Sequence, residues 1–164
     1  MLYKEKHQLI MGQILKDIYS KEAISSSLGF KGGTCAWLFY NLPRFSVDLD
    51  FDFLVDKKFD ISKQKTFVLN EMESIIKKYG VVKEKYIKRS TIFLLLSYGG
   101  KQHNIKIEIQ TRQLLPNLRD QYKLKKYLGV SILVAKKDYM FGGKLVALTK
   151  RTNIAMRDVY DVYF

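Results

Sequence analysis

The sequence predicts an α+β domain in which helices flank a β-sheet. Three observations carry that prediction. Apolar positions recur at helical spacing in 3–22 and 61–79, alternation takes over between 81 and 110, and no composition break or internal repeat divides the 164 residues. A single domain, 1–164, accommodates that length. Leu9, Ile10, Ile14 and Ile18 give the first helix its apolar face. Residues 25–31 read as the first strand, ending at Gly32 and Gly33, and Thr34 reads as the N-cap of a short helix reaching about Tyr40, which Pro43 keeps from continuing. A strand over 47–55 follows, then a turn at 57–60. The long helix 61–79 places Phe67, Val68, Met72, Ile75 and Ile76 at helical spacing and stops at Gly80. Residues 81–88 and 91–98 form strands around Arg89-Ser90, and Gly99-Gly100 turns the chain into another strand at 103–110. After Pro116, strands are predicted at 121–128 and 131–135, and residues 137–164 read as helical.

Composition narrows the function classes. Hydrophobic residues at 47% and aromatics at 13% belong to a folded globule rather than a disordered chain. No apolar run nears the ~18 residues of a membrane span, and the N-terminus lacks a signal-peptide core, so a cytoplasmic location without a membrane is expected. The lone Cys35 cannot form an internal disulfide, and its place in the apolar stretch after the glycines favours buried packing. His7, His103 and Cys35 do not make a usual zinc ligand set. Lys and Arg total 29 against 16 Asp and Glu, a net charge of +13 that favours a polyanionic partner. Basic residues interleave with Tyr86, Tyr122 and Tyr127 in 81–89 and 121–128. Such a pattern suits strands with a basic face toward nucleic acid, and equally two solvated faces.

The densest chemistry lies in residues 30–53, F-K-G-G-T-C-A-W-L-F-Y-N-L-P-R-F-S-V-D-L-D-F-D-F. On a strand, Asp48 and Asp50 share one face roughly 7 Å apart, while Val47, Leu49 and Phe51 take the other. Two carboxylates that close repel unless a cation lies between them or a proton is shared. A hard, oxygen-preferring ion such as Mg²⁺ suits the pair, and so does plain solvation at a strand end. Asp52 extends the acidic alternation without an evident task. Gly32 and Gly33 allow main-chain N–H groups to approach a phosphate, and the helix that follows aims its positive end there. Further on, N-I-K-I-E-I-Q sets Ile105, Ile107 and Ile109 against Lys106, Glu108 and Gln110, so Glu108 stands on the polar face of a strand able to lie beside the aspartates.

Gly-Gly-Thr, a short helix and D-x-D on the next strand resemble the signature of the nucleotidyltransferase superfamily. With Tyr40 and R-x-S-x-D-x-D-F at Arg44, Ser46, Asp48, Asp50 and Phe51, the segment is similar to the AbiEii/AbiGii-type toxin branch. A lysine, A-L, an arginine and R-D-x-x-D at Lys144, Ala147, Leu148, Arg151, Arg157, Asp158 and Asp161 carry the likeness to the end of the chain. The resemblance implies a nucleotidyltransferase-like mixed sheet flanked by helices, with a C-terminal helical segment. It implies transfer of a nucleotide from an NTP to an acceptor hydroxyl, by the toxin half of a toxin–antitoxin or abortive-infection pair with a cognate antitoxin. Asp48, Asp50 and Glu108 are then metal ligands for Mg²⁺, with Mn²⁺ as a substitute, and Glu108 helps deprotonate the acceptor. Gly32, Gly33 and Thr34 cradle the triphosphate, Arg44 and Ser46 bind phosphate or position the strand, and Lys144 and Arg151 neutralise the β/γ-phosphates. Asp158 orients one of these basic groups or acts on the acceptor, and Asp161 pairs with Arg157 four residues back. The implied acceptor is the 3′ end of tRNA or another RNA. A protein acceptor, or a basic nucleic-acid- or partner-binding module that keeps the fold without turnover, are the alternatives. Members of the branch continue with a further helical region where this chain stops, which leaves a fragment, a minimal form and a truncated relative equally open.

Overall fold

The computed structural model describes residues 4–55, 60–100, 103–112, 115–150 and 156–163, the side chains of Lys150 and Asp158 apart. Helices α1 (Lys4–Ser20) and α2 (Glu22–Ser25) lead into β1 (Leu28–Lys31), α3 (Gly32–Tyr40) and β2 (Leu49–Phe53). Helix α4 (Ile61–Ile76) precedes the strands β3 (Val81–Lys88), β4 (Thr91–Ser97) and β5 (Asn104–Gln110). A 3-10 turn, Leu118–Gln121, then leads to β6 (Tyr122–Tyr127), β7 (Val130–Ala135) and the helices α5 (Lys137–Lys150) and α6 (Met156–Tyr163).

The seven strands form one sheet in the order β3-β4-β5-β2-β1-β7-β6. Pairing is parallel between β2 and β5 and between β1 and β7, and antiparallel elsewhere, so the sheet is mixed. Alternation decides which side faces the core. Leu49 and Phe51 of β2, Ile92, Leu94 and Leu96 of β4 and Ile105, Ile107 and Ile109 of β5 are all fully buried. They join Ile14, Leu15 and Ile18 of α1 and Val68, Met72, Ile75 and Ile76 of α4 in one cluster. A one-residue slip of any of these strands would turn its apolar set to the other face, so this core fixes the register.

Several predicted boundaries move, each for a local reason. Residues 22–25 close a helical turn, with Ile24 buried and Ser25 N–H donating to the Lys21 carbonyl, so the first strand begins at Leu28 instead of Ser25. Helix α3 starts at Gly32, two residues before Thr34, and the Thr34 hydroxyl donates to the Asp48 carbonyl at 2.5 Å rather than capping the helix. Asn41, with φ 58°, closes α3 in the left-handed conformation that asparagine tolerates. Helix α4 opens on an N-cap, with the Asp60 carboxylate accepting from Ser62 and Lys63 N–H, and ends at Ile76 rather than 79. Most of the predicted 57–60 turn lies outside the described residues. Cys35 is fully buried, its Sγ near the Phe30 carbonyl, and burial pushes its thiol up, so it packs rather than reacts. No described helix is long and apolar enough to cross a membrane.

Candidate active site

The polar face of the central strands forms the floor of a cleft of about 840 Å³, within the usual range for ligand sites. Parallel pairing sets Asp50 directly beside Glu108, and antiparallel pairing sets Lys31 on the other side of Asp50. Gly32, Lys31, Asp50, Glu108, Lys144 and Asp161 all line the cleft. Asp48 precedes β2 and stands at the margin, its side chain 24% exposed.

Glycine is required where the chain turns from β1 into α3. Gly32 has φ +81°, and a Cβ there would run into the Asp50 carboxylate. Gly33 leaves room beneath the helix: a Cβ would stand 2.9 Å from both Arg44 Nη2 and Ser46 Oγ. Because α3 begins at Gly32, the N–H groups of Gly32, Gly33 and Thr34 have no carbonyl within the helix to pair with, which leaves a positive helix end beside Asp50. Gly33 and Thr34 are buried and neither lines the cleft, so of the three expected cradle residues only Gly32 opens onto it, while the Thr34 hydroxyl serves the Asp48 segment.

The carboxylates are not independent. Burial, with Asp48 and Glu108 adding like charge, pushes Asp50 up to about 6, against the opposing pull of Lys106 and Lys31. The Lys106 ammonium bridges the neighbours, 3.5 Å from Asp48 Oδ2 and 3.3 Å from Glu108 Oε2. Burial works to lower Lys106, but Asp48, Glu108 and Asp50 outweigh it and hold it above its ordinary value. Among the described residues, no three His, Cys, Asp or Glu side chains stand ready-grouped for a metal ion. The donors nonetheless have the right chemistry for a hard divalent cation: three carboxylates on one face, one of them raised by burial and by its two acidic neighbours.

A basic wall faces this floor. Asp161 of α6, 4% exposed, accepts from Arg44 Nε at 2.5 Å and Arg44 Nη2 at 2.6 Å, and pairs with Lys144 Nζ at 2.9 Å. Burial works to raise the Asp161 carboxyl, but these two cations hold it below its ordinary value. The expected Arg157–Asp161 pair is therefore corrected: the acid folds inward onto Arg44 and Lys144, and Arg157 stays exposed. Arg44 thus sits under Gly33, clasped by Asp161, rather than lining the cleft. Arg151 and the Asp158 side chain lie outside the described residues.

Four participants escaped the sequence reading. Asp52, 1% exposed, accepts from Lys31 Nζ at 2.5 Å, Tyr122 OH at 2.6 Å and Tyr139 OH at 2.7 Å. The Tyr122 ring reaches it across Gly29, where any Cβ would meet that ring. Tyr139 lies on α5, so the Asp52 knot fastens the helix carrying Lys144 to the sheet. The D-x-D-x-D alternation marked Asp52 as facing this way without showing what covers it. Lys106, read only as a polar-face residue, is the second. Lys31 is the third. The fourth is His7, fully buried, whose Nε2 bonds the Val47 carbonyl at 2.9 Å and whose Nδ1 meets Tyr98 OH at 2.5 Å, holding the residue before Asp48. At the far edge, Tyr86 stacks on Phe93 at 4.7 Å with Lys88 over its ring, so that basic strand face is self-paired in part.

The sequence matches the family model for the nucleotidyl transferase AbiEii toxin of type IV toxin–antitoxin systems over residues 13–164. The chain belongs to the AbiEii nucleotidyltransferase toxin family. Among solved structures, JHP933 from Helicobacter pylori superposes with a TM-score of 0.68 at 25% identity, covering 100% of this chain and 66% of that one. A candidate nucleotidyltransferase from H. pylori matches at 0.64 and 24% identity, over 98% of this chain and 67% of that one. A third, TM1012 of Thermotoga maritima, described in the same terms, matches at 0.53 and 17%, over 90% and 87%. The latter two speak to the fold. The AbiEii chain here thus spans about two thirds of the length of the two H. pylori proteins. No curated protein sequence matches it.

Proposed function

We propose that this chain transfers a nucleotide from an NTP to an acceptor hydroxyl, with the 3′ end of a tRNA as the acceptor that its +13 charge and family favour. The observation that carries the reading is the Asp50–Glu108 register, set beside the α3 N-terminus and cleared by Gly32. Gly32, which lines the cleft at the start of α3, offers the positive helix end to phosphate oxygens. Lys144 and Lys31 add positive charge from the wall and floor of the cleft. Asp48, Asp50 and Glu108 would hold Mg²⁺ or Mn²⁺, which when bound neutralises the triphosphate and the departing pyrophosphate. Glu108, 40% exposed, is open to an acceptor and takes the proton of its hydroxyl. Asp161 keeps Arg44 and Lys144 in place, and Asp52 keeps α5 against the sheet.

The test is to incubate the protein with each labelled NTP, total tRNA and Mg²⁺, with Asp48→Ala and Glu108→Gln alongside. Label entering RNA in the wild type and lost in both folded variants is expected. Label entering a protein band instead would replace the acceptor. Transfer at an undiminished rate in both variants would overturn the assignment of the corner.

A further inference from the structure

One charged group beside the carboxylates has no part in the scheme above, and it stands where a cation is wanted. Lys106 alternates with Ile105 and Ile107 on β5, so the buried isoleucines force its side chain onto the carboxylate face. Its ammonium touches two of the three acids at 3.5 and 3.3 Å and is one third exposed. A lysine needed only for solubility would extend into water. This one turns to Asp48, which the parallel β2–β5 register places beside it, while Leu95 on its other side on β4 offers no competing charge. The ammonium thus occupies the gap between Asp48 and Glu108.

We propose that Lys106 is an internal competitor for the divalent cation, a residue whose ammonium must leave the gap between Asp48 and Glu108 before a metal ion can enter. The inference rests on the metal reading of the corner. Without the ion, Lys106 holds the like charges together, and it sets the metal concentration at which the corner binds one. Its four-carbon stem and partial exposure let the ammonium swing out without moving the strand.

The experiment compares wild type with Lys106→Met, which keeps the stem and removes the charge, and with Lys106→Gln as a second neutral variant. Mn²⁺ binding is followed by calorimetry and by loss of the free-ion paramagnetic signal, and melting is recorded in chelator and in excess Mn²⁺. Both variants should bind Mn²⁺ roughly tenfold more tightly, the low end of the one to three log units by which an opposite charge at this range biases a carboxylate. They should melt below wild type in chelator and recover in Mn²⁺. A merely structural lysine would do the reverse: its loss would loosen the corner and weaken binding. Equal or weaker Mn²⁺ affinity in folded variants, with wild type binding, overturns the role of Lys106 and leaves the metal site standing. Binding by none of the three proteins overturns the metal site and this inference together.

Discussion

Asp52→Ala is the most revealing single substitution in the fold, because one buried carboxylate holds three elements. Its Oδ1 pairs with Lys31 of β1 and its Oδ2 accepts from Tyr122 of β6 and Tyr139 of α5. Hydrogen bonds to a charged group contribute about 1.5–3 kcal/mol each, and they do not add when they share an acceptor. Removing the acid also removes the cost of burying it, so the net effect falls short of the sum. Breaking a buried pair by deleting one partner typically costs about 3–5 kcal/mol, and Lys31 and two hydroxyls would be left facing a cavity. At about 3 °C per kcal/mol for a chain of this length, the melting temperature should fall by about 10 °C. Asp52→Asn should recover roughly half of that loss. An amide oxygen still serves both tyrosines, while the amide N–H₂ turns toward the Lys31 ammonium. Circular-dichroism melts of the two variants and of Tyr122→Phe measure the series. A loss below about 1 kcal/mol in Asp52→Ala would refute the reasoning, since it would mean the knot is solvated in the folded protein.

Three further perturbations follow from the geometry. Gly32→Ala must pay the left-handed penalty of about 1–2 kcal/mol and push its Cβ against Asp50. Nucleotide transfer should drop far more than the melting temperature, whereas equal small losses in both would show the turn to be remote from the chemistry. His7 is held neutral by burial: the Val47 carbonyl and the charge of Asp48 pull its pKa up, His103 pulls it down, and the net value is lowered. With the folded value depressed, the unfolded chain takes up the proton first, so this contribution is intact above about pH 6.5 and is lost as pH falls below it. Urea unfolding of wild type and His7→Phe should therefore converge on acidification, and parallel curves would show that the ring takes up its proton as readily in the fold as in the unfolded chain. Asp161→Ala leaves Arg44 and Lys144 without their shared, nearly buried acid, a loss of about 3–5 kcal/mol. Limited proteolysis should then cut near α6 much faster, and an unchanged digestion pattern would mean that α6 is held by other contacts.

How far the sequence could be read depended on whether the cause was local. Residues 104–110 alternate throughout, and β5 covers them within the expected 103–110, because a half-buried strand writes its own period. The corner residues Asp50 and Glu108 were readable for that reason as well. What local pattern cannot encode is the partner across the sheet or from a distant helix. Arg157 lies four residues before Asp161, yet that acid turns to Arg44, 117 positions earlier, because α6 packs its inner face on α5 and the cleft. Tyr122 and Tyr139 lie 70 and 87 positions from Asp52, so an acid that looked idle in sequence became a three-bond anchor in the fold. Thr34 misled by type: a threonine near a helix start reads as a cap, but the left-handed freedom of Gly32 lets the helix begin earlier and frees the hydroxyl for the Asp48 carbonyl. The same logic makes the corner robust. Were β5 to slip by one residue along β2, an isoleucine would take the place of Glu108 beside Asp50, and Lys106 and Glu108 would turn into the core. The fully buried Ile105, Ile107 and Ile109 forbid that slip, so the apolar half of the alternation is what holds the acidic half in place.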